Sequence, residues 1–253
     1  MASIHPSAVV HEDARLSAGV EVGPFAVVGA GVRAEAGVVI SAHAVVEGDT
    51  WLGQSCRIAS FACIGAPPQT RSHGAPGRLE IGPRTVIREY VTAQPGVEGG
   101  TTRVGAGCLV MAYAHIAHDC ALEDGVVMAN GVQLAGHCHV GEATTLGGLT
   151  NVHQHVRIGR LAMTGAASRI TRDVPPFCLV DGHPARLIGP NRVGLRRAGW
   201  TREETAELTR TLIRCFPKDG RVTVPEDGVR ELLAFLRAST RGVTTRRRRD
   251  GRS

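Results

Sequence analysis

The sequence is poor in aromatic residues. Phe, Tyr and Trp together make up 4% of the chain, whereas glycine occurs 32 times. The core of a globular domain normally relies on aromatic rings for bulk. An interior of Val, Ile, Leu and Ala with abundant glycine instead indicates a narrow and repetitive core.

Long apolar runs and cysteine pairs are also missing. No stretch approaches the roughly 20 apolar residues of a membrane-spanning helix. The N-terminus lacks the charged and apolar regions of a secretion signal. We therefore expect a cytoplasmic protein without stable membrane insertion. No Cys-x-x-Cys pair occurs, which argues against a zinc site built on cysteine.

Basic residues exceed acidic ones, and the formal net charge is +6. Part of this charge lies in the run Arg246–Arg249 near the C-terminus. Such a run indicates either a solvated chain end or an acidic partner. No aromatic residues interleave with the arginines, so a nucleic-acid partner is not expected.

Large aliphatic residues recur at every sixth position, and small or slim residues follow each of them four positions later. The first run of the repeat is Ile4, Val10, Leu16, Val22, Val28, Ala34, Ile40, Val46, Leu52, Ile58 and Ile64. The second run is Val104, Val110, Ile116, Leu122, Met128, Leu134, Val140, Leu146, Val152, Ile158, Thr164 and Ile170. A period of six predicts a triangular coil of three short strands, stacked about 4.8 Å apart. The sequence therefore predicts an all-β, left-handed parallel β-helix. Cys56, Cys108, Cys120 and Cys138 occupy its small inward position and are expected to be buried thiols.

Two interruptions of the repeat predict loops that project from the coil, at about residues 66–80 and 94–103. The repeat ends near residue 173, and a helical region follows. Thr201 and Glu204 predict a capping box, and Val229, Leu232, Leu233 and Leu236 give the apolar face of a later helix that opens near residues 225–227. We assign residues 1–190 to the β-helix and residues 191–253 to a small helical domain with a basic tail.

When residue numbers are taken modulo the 18 residues of one coil, five histidines fall at nearly the same position. They are His115, His118, His137, His153 and His155. The repeat places them along one corner of three successive coils, which favours a functional site over isolated solvated residues. Two chemistries are compatible with the column. Imidazoles could bind a metal, as in the γ-class carbonic anhydrases, although the short His-x4-His spacing is absent.

The second chemistry is general base catalysis. Asp119 directly follows His118 and could hold or polarise its imidazole, which suits removal of a proton from a sugar hydroxyl. Gly136 could present an unhindered backbone N–H to an oxyanion.

A family resemblance favours the second chemistry. The motifs are residues 114–120 (AHIAHDC), 134–137 (LAGH), 152–154 (VHQ) and 173–176 (DVPP). They resemble those of the bacterial acyl-carrier-protein–UDP-N-acetylglucosamine O-acyltransferases, which start lipid A synthesis. The resemblance covers nearly the whole chain and includes the looped hexads, residues 194–197 (GLRR) and residues 239–242 (STRG).

The resemblance implies a role for individual residues. His118 would deprotonate the glucosamine 3-hydroxyl with support from Asp119, and the Gly136 N–H would bind the thioester oxyanion. The implied substrate contacts are Gln69 in the first loop, the sugar and phosphate contacts His115, His137, His153 and Gln154, and the nucleotide contacts Asn191 and Arg197. Ala166 would lie along the groove for the acyl tail.

The resemblance also implies partners: an acidic acyl carrier protein as donor, UDP-N-acetylglucosamine as acceptor, and a homotrimer with sites between subunits. It implies no metal and no cofactor. The chain departs from the family pattern at Thr70, where an aspartate is usual, and at Ala198, where a second arginine is frequent. Both loops are also shorter than usual.

Three alternatives stay open on the sequence. The related UDP-sugar N-acyltransferases usually carry an extra N-terminal domain, whereas here the hexads begin at residue 4. A zinc-dependent hydro-lyase of the γ-carbonic anhydrase kind would use the histidines as ligands. A purely structural β-helix would not need the histidine column. The sequence does not determine the acyl length, nor whether the acceptor bears a 3-hydroxyl or a 3-amino group.

Overall fold

A computed structural model describes residues 1–71, 74–75, 77–217 and 221–246. Short strands, mostly of two residues, form three sheets that wrap one core. The first face consists of β1 (Ser3–Ile4), β4 (Glu21–Val22), β7 (Val39–Ile40), β10 (Arg57–Ile58), β13 (Val86–Ile87), β16 (Leu109–Val110), β19 (Val127–Met128), β22 (Thr145–Leu146), β25 (Met163–Thr164), β27 (Cys178–Gly182) and β28 (Ala185–Pro190). The second face consists of β2 (Val9–Val10), β5 (Val27–Val28), β8 (Val45–Val46), β11 (Cys63–Ile64), β14 (Thr92–Ala93), β17 (His115–Ile116), β20 (Gln133–Leu134), β23 (Asn151–Val152) and β26 (Arg169–Ile170). The third face consists of β3 (Arg15–Leu16), β6 (Arg33–Ala34), β9 (Asp49–Leu52), β12 (Arg78–Ile81), β15 (Thr101–Val104), β18 (Ala121–Leu122), β21 (His139–Val140) and β24 (Arg157–Ile158).

Every third strand pairs in parallel with its counterpart in the next coil. Ser3 pairs with Glu21 and Ile116 with Leu134, a step of 18 residues. The second residue of almost every strand points inward, and from Val22 onward these residues form one continuous core. The predicted left-handed parallel β-helix is therefore confirmed. The four cysteines assigned to the small inward position are buried and free, as expected.

The two excursion loops end three residues earlier than predicted. Pairing resumes at Arg78 and at Thr101, because β12 and β15 are four-residue strands rather than two-residue ones. Leu79 and Thr102 give each of these strands one additional residue that points inward, and both residues are fully buried. The first loop therefore ends at Gly77 and the second at Gly100.

The chain leaves the repeat through an antiparallel hairpin, β27 with β28, which the hexad pattern did not predict. Among the described residues, three helices follow: α1 (Arg192–Arg197), α2 (Arg202–Cys215) and α3 (Arg230–Ala238). The predicted capping box is confirmed at the start of α2. The last helix begins at Arg230, later than predicted.

The helical region packs onto the end of the β-helix. Buried leucines of all three helices belong to the same hydrophobic cluster as the coils, so the helices share one core with the repeat. The end of β28 at Pro190 coincides with the proposed domain boundary at residues 190/191. Of the predicted basic run, only Arg246 falls within the described residues. Among the described residues, no helix is both long and apolar enough to cross a bilayer.

Candidate active site

The candidate site lies on the corner where the second face turns into the third, which we call the histidine corner. Three stacked turns form it: residues 117–120, 135–138 and 153–156. The third residue of each turn, namely Asp119, His137 and His155, has a left-handed backbone with φ of 58°, 60° and 61°. The backbone N–H of His137 donates to the His118 carbonyl, and that of His155 donates to the Gly136 carbonyl, both at 3.0 Å. The stacking of coils therefore produces the column that the sequence predicts.

His118 and Asp119 form a half-buried pair at the base of this column. Nδ1 of His118 lies 2.8 Å from Oδ2 of Asp119, and their side chains are 20% and 14% exposed. An ionised carboxylate only accepts hydrogen bonds, so Nδ1 carries the proton. Nε2 of His118 then keeps its lone pair, which is the state that a general base requires.

The second loop and the adjoining strand β15 hold Asp119 in place. The backbone N–H of Val97 donates to Asp119 Oδ2 at 3.2 Å, and the Asp119 N–H donates to Thr102 Oγ1 at 2.7 Å. Gly100 approaches so closely that a Cβ there would overlap Asp119 Oδ1. The loop thus orients the carboxylate that orients His118.

Gly136 lies directly against the His118 ring. A Cβ on Gly136 would lie 2.6 Å from Cε1 and 2.7 Å from Nε2 of His118, closer than such atoms approach. Within the part of the chain that the structure describes, the Gly136 N–H donates to no other group. A glycine is therefore required at this position, and its N–H is available next to the base.

The other histidines contact the column at different points. The rings of His118 and His137 meet edge to face at 5.1 Å between centroids, and His137 stacks on His155 at 4.6 Å. His115 lies on β17, where its Nδ1 is 2.7 Å from Thr92 Oγ1. Burial, and to a smaller extent the neighbouring His118, lowers the pKa of His115. The rings of His118, His137 and His155 therefore lie together, whereas His115 lies on the adjoining strand β17.

His153 and Gln154 lie one coil beyond His137, and both are exposed. Nδ1 of His153 is 3.0 Å from Nη2 of Arg241, a residue 88 positions away. In the sequence, Arg241 belongs to the motif at residues 239–242, and the motif predicts no role for it. No periodicity links the C-terminal segment to the coils, so its return to the site leaves no signal in the pattern.

The remaining predicted residues lie outside the column. The Gln69 backbone N–H donates to Oε1 of Gln94, which connects the first loop to the second at 3.1 Å. Ala166 is exposed in a turn on the corner between the first and second faces. Arg197 is exposed in the last turn of α1.

Asn191 has a structural role in the chain. It is buried, its Oδ1 accepts from the Gly194 N–H as the N-cap of α1, and its Nδ2 donates to the Leu161 carbonyl at 2.9 Å. These contacts do not support its assignment to nucleotide binding, which stays a prediction.

The donor atoms of His118, Asp119 and His137 lie within 4.8 Å of one another. Two imidazoles and a carboxylate are a ligand set that zinc accepts. The sequence prediction of no metal thus stays a prediction, and the geometry is compatible with both chemistries.

Comparison with known proteins supports the acyltransferase chemistry. Residues 173–244 match the family model described as UDP N-acetylglucosamine O-acyltransferase, domain 2, and residues 101–136 match the bacterial transferase hexapeptide model. The chain is 52% identical over 203 residues to the acyl-[acyl-carrier-protein]–UDP-N-acetylglucosamine O-acyltransferase of Verminephrobacter eiseniae, covering 79% of this chain and 78% of that protein. It is 41% identical to the protein of the same name from Thiobacillus denitrificans, covering 96% and 99%. The solved UDP-N-acetylglucosamine acyltransferase from Campylobacter jejuni superposes with a TM-score of 0.88 at 34% identity, covering 97% of this chain and 100% of that one.

Proposed function

The chain belongs to the family of acyl-[acyl-carrier-protein]–UDP-N-acetylglucosamine O-acyltransferases, and we propose that His118 is the general base of its reaction. The reaction transfers an acyl group, with or without a 3-hydroxyl, from acyl carrier protein to the glucosamine 3-hydroxyl of UDP-N-acetylglucosamine, the first step of lipid A biosynthesis. The observation that carries the assignment of the base is the His118–Asp119 pair, which leaves the Nε2 lone pair free beside the Gly136 N–H.

The chemistry follows from these three groups. Nε2 of His118 takes the proton from the 3-hydroxyl while its oxygen attacks the thioester carbonyl carbon. The charge that develops on the carbonyl oxygen is stabilised by the Gly136 N–H. The carbon–sulfur bond then breaks, and the imidazolium returns its proton to the departing thiolate. Asp119 stabilises the imidazolium between these two steps because its carboxylate accepts the Nδ1–H.

Assembly as a homotrimer is part of the proposal. An exposed column of stacked rings runs along the corner between the first and second faces, which we call the aromatic corner: Phe25, His43, Phe61, Tyr90 and Tyr113. Successive ring centroids are about 5 Å apart, between 4.9 and 5.2 Å. The adjoining second face is apolar along its first coils, where Val9, Val27 and Val45 point outward.

The same face becomes polar at Thr92 and His115, where the candidate site begins. One continuous surface thus combines a large exposed apolar patch, typical of subunit contacts, with the histidine corner. This arrangement supports packing of the aromatic corner against a second copy and sites placed between subunits. The proposal includes an acidic carrier protein, which the positive net charge of the chain would attract, and a cytoplasmic location.

The test is a mass-spectrometric assay with UDP-N-acetylglucosamine and a panel of acyl carrier thioesters. We expect acceptor-dependent formation of an ester that mild base cleaves. A 3-amino analogue of the acceptor should react more slowly. Formation of a base-stable amide from the amino analogue in preference to the ester would show that the preferred acceptor bears a 3-amino group.

The zinc-dependent alternative has one observation in its favour, the three donor groups of His118, Asp119 and His137. It is tested on the same preparation by elemental analysis and by CO2 hydration with and without added zinc. The acyltransferase proposal predicts transfer that persists after dialysis against a chelator. Stoichiometric zinc together with rapid CO2 hydration would favour the hydro-lyase.

A further inference from the structure

The C-terminal segment, residues 239–245, returns to the histidine corner after α3. Asp173, which is buried, anchors it. The Ser239 hydroxyl donates to Asp173 Oδ2 at 2.8 Å, and the backbone of Asp173 pairs with Gly242 and Thr244 at 3.0 and 2.7 Å. This anchoring places the Arg241 guanidinium against the ring of His153.

Two neighbours compete for Nδ1 of His153. Arg241 Nη2 is 3.0 Å away, and the Gln154 carbonyl oxygen is 3.3 Å away. A guanidinium only donates and a carbonyl only accepts, so the two contacts need opposite states of Nδ1. The guanidinium is the nearer and the charged partner, and a charge-assisted hydrogen bond is the stronger one. Nδ1 therefore accepts from Arg241, and the ring proton of neutral His153 lies on Nε2.

We propose that Arg241 is a positioning residue that fixes His153 as its Nε2–H tautomer, so that the exposed ring donates a hydrogen bond to an oxygen of the UDP-sugar. This inference rests on the proposed function. Without Arg241, the proton moves to Nδ1 and is donated to the Gln154 carbonyl. Nε2 then becomes a hydrogen-bond acceptor. An acceptor repels the oxygens of a diphosphate and can bind only a donor such as a hydroxyl group.

A purely structural role explains the contact less well. The Nε of Arg241 is buried without a hydrogen-bond partner among the described residues, and an unpaired buried donor destabilises the folded chain. The positive charge of Arg241 also acts on a second histidine of the column. The pKa of His155 is lowered, mainly by burial, then by His137 and by Arg241. The guanidinium therefore acts on the histidine corner at a cost to stability.

The first measurement is the tautomer of His153 in ligand-free protein, read from 15N shifts of labelled histidine at pH 8. We expect Nε2–H in the wild type and in Arg241→Lys, which retains a charged donor, and Nδ1–H in Arg241→Met. Arg237→Met, an exposed arginine in the last turn of α3, is the matched control and should leave the tautomer unchanged.

The second measurement is calorimetric binding of UDP-N-acetylglucosamine without acyl donor. Arg241→Met should weaken binding about ten-fold, the scale of one hydrogen bond to a charged group, and Arg241→Lys much less. An Nδ1–H tautomer in the wild type, or the same tautomer in the wild type and Arg241→Met, would overturn the inference. A tautomer change without loss of affinity would overturn its ligand half. If the wild type bound no UDP-N-acetylglucosamine, the proposed function would fail, whereas the tautomer result would still decide the role of Arg241 toward His153.

Discussion

The imidazole of His118 lies over Gly136 so closely that a methyl group on Gly136 would be 2.6 Å from Cε1 of His118. Stacking of the coils produces this approach, because His118 and Gly136 occupy the same turn position 18 residues apart. The site thus depends on the absence of a side chain at one position as much as on the presence of the imidazole.

Gly136→Ala should displace the His118 ring and reduce turnover by at least about 10²-fold, the scale of losing general base catalysis. Folding should be retained, because the φ of Gly136 is not in the left-handed region that glycine favours. Gly189→Ala is the matched control, since a Cβ at Gly189 meets nothing within 4 Å. Steady-state kinetics and the melting temperature decide the outcome. Normal turnover in Gly136→Ala would show that the ring position is not critical.

His118→Ala should reduce turnover by at least about 10²-fold, and Asp119→Asn should reduce it less, because Asp119 orients the base without transferring the proton. His139→Ala is the control: His139 also pairs with a carboxylate, Glu123 at 3.1 Å, but it lies on the third face outside the column. Its turnover should stay near the wild-type value. A folded His118→Ala variant with near-normal turnover would refute the assignment of the base.

The six-residue period predicted the coil because each hexad buries one large aliphatic residue. Since the phase of the repeat is constant along each run, it also determines which side chains face inward. The same phase predicted the column of His118, His137 and His155. It did not predict that β12 and β15 extend to four residues, because Leu79 and Thr102 continue a strand alternation inside segments whose hexad phase is interrupted.

The contacts of Arg241 and Asn191 were beyond sequence reasoning for a different reason. Both lie after the repeat, where the position of a residue depends on tertiary packing of the hairpin, the helices and the C-terminal segment. Arg241 reaches His153 across 88 residues, and Asn191 reaches the Leu161 carbonyl across 30. Neither separation belongs to a period.

The pKa of His115 is below its ordinary value of 6.5, mainly because the ring is buried and in part because of His118. The unfolded chain therefore binds a proton at higher pH than the folded chain, so stability rises with pH through this window. The contribution is fully present above pH 6.5 and is lost as the pH falls from about 6.5 towards the lowered pKa.

The free energy of unfolding in urea should fall between pH 7.5 and pH 5, and the fall should be smaller in His115→Asn. His5→Asn, at an exposed histidine near the N-terminus, is the control and should keep the wild-type slope. An unchanged pH slope in His115→Asn would show that His115 does not carry this dependence.

Assembly is tested at the aromatic corner. Phe61 is 47% exposed and stacks between His43 and Tyr90 at 5.0 and 5.2 Å. Its φ of 63° is tolerated by aspartate, so Phe61→Asp adds a charge with little backbone strain. Light scattering should give a trimer for the wild type and smaller species for Phe61→Asp. Ile213→Asp, at an exposed residue of α2, should remain trimeric. A monomeric wild type would rule out the proposed assembly.

Ala166 lies on the aromatic corner, in the turn that precedes β26. Along the second face, β26 is three strand steps from β17, about 14 Å at the usual spacing. The turn is tightly packed below, since the Ala167 N–H donates to the Gly148 carbonyl at 2.7 Å. The methyl group of Ala166 is exposed and can therefore protrude into a groove between subunits.

We expect Ala166 to shorten the preferred acyl group relative to family members with glycine at this position. Each buried methylene of the acyl tail contributes about 0.8 kcal/mol to the binding free energy. In a closely packed groove, one additional methyl group is enough to displace part of the tail. Ala166→Gly should lengthen the preferred chain and Ala166→Met should shorten it, with discrimination of about ten-fold. Ala106→Met is the control, because Ala106 has the same turn position on a corner between the third and first faces. The measurement is competition between acyl carrier thioesters of different lengths. If the length profile is the same in the wild type, Ala166→Gly and Ala166→Met, the limit is set by another residue, for which Met163 on β25 is the nearest candidate in the chain.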